Sequence, residues 1–166
     1  MLTIRTCKTP EDIELLAKTA KEIWDEYFIN IISQKQIDYM TTKFLSVPAL
    51  ETALTKEHYI YYLAFEDNQM IGFCGIKPEE NRLFLSKLYV RKEYRGRRIS
   101  SMLFHEALDY VQNHKHLQAI YLTCNKYNEH SIAIYKHKGF KTIDAVQTDI
   151  GHGFIMDDYI MQLEVH

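Results

Sequence analysis

Glycine and proline are scarce in this chain of 166 residues, six and three respectively. That leaves no room for a long flexible linker or a collagen-like repeat. The three cysteines, Cys7, Cys74 and Cys124, are scattered; no Cys-x-x-Cys spacing marks a zinc or redox site and no disulfide framework emerges. Such usage suits a reducing compartment, so a cytoplasmic location is expected. No apolar run approaches the roughly eighteen residues of a membrane-spanning helix. The opening segment, Met1 to Asp12, turns polar before a signal-peptide core can form. Neither sign of charge dominates: 20 Lys and Arg stand against 22 Asp and Glu, a net charge of -2. A nucleic-acid coat would normally need a large positive excess, so no nucleic-acid partner is expected. There is no internal repeat and no low-complexity segment.

What is present is an ordinary globular composition, 46% hydrophobic and 25% charged. The length fits one domain, residues 1–166, able to bury about two thirds of its unfolded surface. Leu2 to Thr6 reads as a first strand. Thr9-Pro10-Glu11-Asp12 reads as a helix start, with a capping hydroxyl, a first-turn proline and early acids. Ile13, Ala17, Ala20, Trp24 and Tyr27 then form one helical stripe. Ser33-x-x-Gln36 opens a second helix to about Phe44, and a short third runs from Pro48 to Lys56. Tyr59–Phe65, Met70–Ile76 and Leu83–Val90 are three strands separated by Asp67-Asn68 and Pro78 to Asn81. Connections this short favour antiparallel order. Ile99, Leu103, Ala107 and Val111 restore the helical period, and Ala119–Cys124 is the next strand. Asn128–His137 is a short helix stopped by Gly139, and two strands, Lys141–Val146 and Phe154–Val165, flank a Gly151-His152-Gly153 turn. The sum is an α/β fold: a mixed sheet of about seven strands, an antiparallel meander plus one parallel strand–helix–strand unit, with flanking helices.

The densest chemistry lies between Lys87 and Arg98, where six Lys or Arg face a single acid, Glu93. This basic turn leaves a strand and enters a helix at Ile99. A helix N-terminus offers unsatisfied N–H groups and partial positive charge, a ready site for a phosphate. Gly96 permits close backbone approach, and Ser100 and Ser101 add hydroxyls. A solvated basic connection is the other reading of the same residues.

The turn resembles the pyrophosphate loop of the GCN5-related N-acetyltransferase (GNAT) superfamily, Arg/Gln-x-x-Gly-x-Gly/Ala. Arg95 takes its first position, and Tyr94, Gly96, Arg97, Ile99 and Ser101 are typical surroundings. Arg98 and Ser100 replace its two small residues. Ser100 is small enough. Arg98 carries a Cβ that interferes with close approach unless its φ stays negative, while its cation can reach a phosphate. Two further segments carry the resemblance. Leu85-Ser-Lys-Leu-Tyr-Val90 is similar to the family's fourth strand. Asn128-Glu-His-Ser-Ile-Ala-Ile-Tyr-Lys-His-Lys-Gly-Phe140 is similar to its Asn-x-x-Ala-x-x-x-Tyr-x-x-x-Gly-Phe segment, with Ser131 in place of alanine. The Ile37–Met40 helix and the ending Asp149–Tyr159 resemble a narrower bacterial group containing polyamine acetyltransferases of the PaiA type.

The resemblance implies transfer of an acetyl group from acetyl-CoA, the co-substrate, to an amine by direct attack in a ternary complex. It assigns the pyrophosphate to Arg95, Gly96, Arg97, Arg98, Ile99, Ser100 and Ser101, and the pantetheine amides to the backbone of Leu88, Tyr89 and Val90. The N–H groups near Leu88 and Tyr89 would face the thioester oxygen as charge develops. Tyr135 stands where the family keeps the general acid for the leaving thiolate; a packed aromatic is its plainer role. Asn128 contacts the cofactor and also suits a helix cap. Lys138 either reaches the phosphates or is solvated.

No base for the acceptor ammonium is evident. Glu26, Asp38 and Tyr39 in the early helices, and Asp149, Asp157 and Asp158 on the closing hairpin, are candidate acceptor contacts. Thr142 to Glu164 holds five acids and no Lys or Arg, either an acidic wall for a polycation or a solvated hairpin. A water chain is an alternative proton path. Metal is not expected: His114-x-His116 diverges on a helix, and His130 and His137 stand about two turns apart. Cys124 reads as a buried structural thiol. The expected partner is a small-molecule amine such as spermidine or spermine, without membrane association and with a homodimer compatible. Acetylation of a peptide N-terminus or lysine, and a catalytically weak acyl-CoA-binding regulatory module, are the rival functions.

Overall fold

The computed structural model describes residues 1–165. Its elements run β1 (Leu2–Thr6), α1 (Pro10–Tyr27), α2 (Gln34–Leu45), α3 (Val47–Thr55), β2 (Ile60–Glu66), β3 (Gln69–Pro78), β4 (Arg82–Val90), a 3-10 turn at Lys92–Tyr94, α4 (Ile99–Gln112), β5 (Ala119–Asn125), α5 (Glu129–His137), β6 (Lys141–Gly151) and β7 (Phe154–Glu164). The seven strands take the order β1-β2-β3-β4-β5-β7-β6. The β4–β5 ladder is parallel and pairs Arg82–Phe84 with Ala119–Tyr121. The ladders β1–β2, β2–β3, β5–β7 and β6–β7 are antiparallel. This is the mixed α/β architecture that the order of periodicities predicts.

The chain divides into two compact units: Met1–Lys77 with Leu85–Tyr110, and Pro78–Phe84 with Val111–His166. In the first, Thr9 and Asp12 close a full capping box that starts α1. Asp12 is buried and also accepts from the Arg5 guanidinium at 2.8 Å and from the Lys8 and Thr9 N–H groups. Those donors hold its carboxyl well below the usual carboxylate range, the Arg5 hydrogen bond foremost. The buried apolar line of α1 includes Leu16, Ala20, Ile23 and Trp24. Trp24 and Phe28 meet Tyr89 of β4 with ring centres 5.7 and 5.8 Å away, so α1 covers the Tyr89 face of that strand. Ser33 and Ser46 cap α2 and α3 by accepting from Gln36 and Ala49 N–H groups. Asp67 and Asn68, both at positive φ (49° and 72°), make the tight β2–β3 turn.

In the second unit, Ile120, Leu122, Phe140 and Met161 are buried. α5 ends as its glycine predicts: Gly139, at φ 102°, lets Phe140 N–H return to the Tyr135 carbonyl and its own N–H to that of Lys136. β6 runs to Gly151, five residues past its expected end at Val146. Gln147, Thr148 and Asp149 are exposed and polar, so the apolar alternation that announces a strand is missing there.

Candidate active site

In the first unit, β4 delivers the chain into the basic turn. Arg91 anchors the entry. Its Nε donates to the Met70 carbonyl at 2.8 Å, its Nη1 to Glu22 at 2.7 Å, and its backbone N–H to the Ile71 carbonyl. Arg95, four residues on, repeats the arrangement: Nε donates to the Val90 carbonyl at 3.0 Å and Nη2 to Glu26 at 2.8 Å. Two arginines therefore fasten the turn to two glutamates one helical turn apart on α1. Much of the Arg95 charge is spent on Glu26. Glu26, an expected acceptor contact, is in turn engaged as the counter-ion of Arg95.

The turn holds two residues at positive φ. Gly96 has φ 84° and open space where a Cβ would project. Arg98 has φ 63°, not the negative value its side chain prefers, so an arginine occupies the left-handed conformation a glycine would take. The Arg98 carbonyl accepts the Met102 N–H and opens α4, so this left-handed residue stands at the helix start. Ile99 is buried while Arg97, Arg98, Ser100 and Ser101 are exposed. Among the described residues, no carboxylate lies within ion-pair distance of Arg97 or Arg98. The turn thus combines a helix N-terminus, two uncompensated cations and two hydroxyls, a set that fits a pyrophosphate.

The other early candidates have local partners. Asp38 accepts from Lys21 Nζ at 2.8 Å and Gln34 Nε2 at 2.9 Å; the Lys21 bond, followed by the Gln34 one, lowers its pKa. Tyr39 receives a long contact from Lys43 at 3.5 Å.

In the second unit, Asn128 is buried and caps α5: its Oδ1 accepts the Ser131 N–H at 3.3 Å. Tyr135 is half-buried, its ring 5.4 Å edge-on from Phe140. Lys138 is the C-cap of α5. On the closing hairpin, Asp149 is exposed and accepts the Gly151 N–H at 2.8 Å, holding the turn. Asp157 pairs with Lys126 at 2.9 Å. Asp158 is buried, and desolvation, with the Asp157 charge behind it, pushes its pKa up to about 6. Of these acids, Asp158 alone is deeply buried. Burial pushes the Cys124 thiol up to about 12, the state of an inert structural cysteine. Among the described residues, no group of three or more His, Cys, Asp or Glu is arranged to hold a metal ion. Among the described residues, no helix is long and apolar enough to cross a membrane.

Residues 17–140 match the family model described as the acetyltransferase (GNAT) family. The chain belongs to the GNAT family. It is 29% identical over 151 residues to the spermidine N(1)-acetyltransferase of Thermoplasma acidophilum, covering 89% of this chain and 91% of that protein. It is 24% identical over 119 residues to the spermine/spermidine N(1)-acetyltransferase of Bacillus subtilis, 66% of this chain and 76% of that one. Its fold is similar to the crystal structure of the PaiA N-acetyltransferase of T. acidophilum in complex with coenzyme A: TM-score 0.80, 26% identity, 99% of each chain.

One residue of this GNAT chain escapes a reading by motif: Lys87, whose place among the apolar residues of β4 was the available signal. It is half-buried, and desolvation draws its pKa down to about 8.

Proposed function

We propose that this GNAT protein is an acetyl-CoA-dependent N-acetyltransferase whose acceptor is a polyamine, spermidine or spermine. The relation to a spermidine N(1)-acetyltransferase across 89% of the chain carries this reading. The Arg95–Ser101 turn takes the pyrophosphate through the N–H groups opening α4, with Arg97 and Arg98 adding charge. The backbone of Leu88, Tyr89 and Val90 takes the pantetheine amides. The acceptor's neutral amine attacks the thioester carbonyl, the C–N bond forms, and the C–S bond breaks. Tyr135 protonates the departing thiolate, and Asn128 and Lys138 contact the co-substrate. The acids at Asp38, Asp149, Asp157 and Asp158, with Tyr39, contribute the field that attracts the polycation.

Thiol release from acetyl-CoA with a panel of amines and peptides tests this reading. Spermidine and spermine are expected to be acetylated, with acceptor KM rising as salt screens the carboxylates. Efficient acetylation of peptides with indifference to polyamines and simple diamines would end the polyamine assignment.

A further inference from the structure

A cavity of about 550 Å³ lies within the first unit, its wall including Phe44, Glu57, Tyr59, Tyr61 and Lys87. Strand alternation puts Lys87 on the Tyr89 face of β4, one residue before the Leu88–Tyr89 backbone assigned to the thioester. Its Nζ donates to Ser86 Oγ at 2.7 Å and lies 6.0 Å from the centre of the Phe44 ring. Among the described residues, no carboxylate reaches ion-pair distance of it. A lysine placed this way lines the cavity with no carboxylate paired to it.

The surroundings suit an alkylammonium. Phe44, Tyr59 and Tyr61 offer ring surfaces, and the Glu57 carboxylate at the exposed rim suits a distal ammonium. The other charged or titratable groups facing this space are Lys43 of α2, exposed and 5.8 Å from the Phe44 ring, and the Tyr59 and Tyr61 hydroxyls. Lys77 of β3 sits 5.3 Å over the Tyr59 ring. Burial raises the Tyr61 hydroxyl, so it stays neutral. Two ammonium groups in one cavity repel, which favours loss of a proton from the pair.

We infer that Lys87, lining this cavity, is the base that removes the first proton from the acceptor ammonium. This inference rests on the acetyl-transfer reading. The proton passes from the acceptor nitrogen to Lys87 Nζ, freeing the lone pair that forms the C–N bond. As the C–S bond breaks, the thiolate takes its proton from Tyr135, and the second proton lost by the nitrogen restores that hydroxyl through solvent. Lys87 releases its own proton at the exposed rim. One proton leaves per turnover, as conversion of an ammonium and a thioester to an amide and a thiol requires.

The test compares wild type with Lys87→Met, of similar length and neutral, and Lys87→Arg, permanently charged. In wild type, kcat/KM for spermidine should rise with pH through about 8, where Lys87 loses its proton. In Lys87→Met, activity near pH 7.5 should fall roughly 10²-fold. Its rising limb should move towards the alkylammonium's own pKa of about 10.4. Lys87→Arg should be as slow as Lys87→Met. On the protein alone, NMR titration of the lysine side chains should show one resonance, lost in Lys87→Met, titrating far below the others. Near wild-type activity in Lys87→Arg, or an unmoved pH profile in Lys87→Met, overturns the inference while leaving the transferase intact. Lack of acetylation of any amine by wild type overturns the transferase reading, and the base falls with it.

Discussion

Arg98→Gly tests the reading of the basic turn at a single backbone angle. A non-glycine residue in the left-handed region costs about 1–2 kcal/mol, and Arg98 is exposed at φ 63° with α4 starting on its carbonyl. Glycine relieves that strain but gives the unfolded chain extra freedom worth about 0.4–1 kcal/mol. The net expectation is a gain of about 0.5–1 kcal/mol. For a domain of this length that is a rise in Tm of about 1–4 °C. Arg98→Ala is the control, because it removes the same charge but keeps the Cβ and hence the strain. Calorimetry should place Arg98→Gly above wild type and Arg98→Ala at or below it. Equal stabilisation of both variants would assign the effect to charge repulsion with Arg95 and Arg97. A destabilised Arg98→Gly would refute the strain argument. Coenzyme A affinity of the same pair separates two roles of the side chain. A parallel loss in both means the guanidinium contributes to phosphate binding; a gain confined to glycine means its Cβ obstructs.

Three further outcomes follow from named side chains. Tyr135→Phe keeps the ring against Phe140 and should lower kcat about 10²-fold or more with acetyl-CoA binding little changed; unaltered turnover in a step limited by chemistry would remove the general-acid role. Asp12→Ala strips the acceptor from Arg5 and two N–H groups and should cost about 2 kcal/mol by urea unfolding near neutral pH. Because folding depresses the Asp12 pKa, that contribution is complete above about pH 4 and disappears as pH falls through the folded value, so variant and wild type should converge in acid. Asp158 has the opposite sign: its folded pKa of about 6 lies above the unfolded value, so its burial cost is present above pH 6 and gone below about pH 4. Asp158→Asn should therefore raise Tm at pH 7–8 and lose that advantage towards pH 4.

Local rules make much of this molecule legible in its sequence. Thr9, Ser33 and Asn128 cap helices because a side-chain oxygen beside a helical stripe has few better uses. Gly139 ends α5 for the reason glycine usually does. The order of elements along the chain agreed, and the short connections of β2–β3 and β6–β7 leave little choice but antiparallel pairing. What stayed hidden depends on tertiary partners. Nothing in the turn's sequence reveals that Arg91 and Arg95 are claimed by Glu22 and Glu26, since 69 residues separate each pair. The same distance in sequence concealed that Glu26 is occupied. The positive φ of Arg98 is likewise invisible in the sequence, because arginine is not a residue that announces a left-handed position. Lys87 looked like one more cation in a basic stretch; only strand alternation and the cavity beside it set it apart.

Product analysis after incubation with acetyl-CoA and spermidine tests the central claim most directly. The account predicts monoacetylated spermidine, detected by mass spectrometry, with one free thiol released for each acetyl group transferred and no product without the protein. Binding of acetyl-CoA with no acetylated product from spermidine, spermine or any other amine would contradict it.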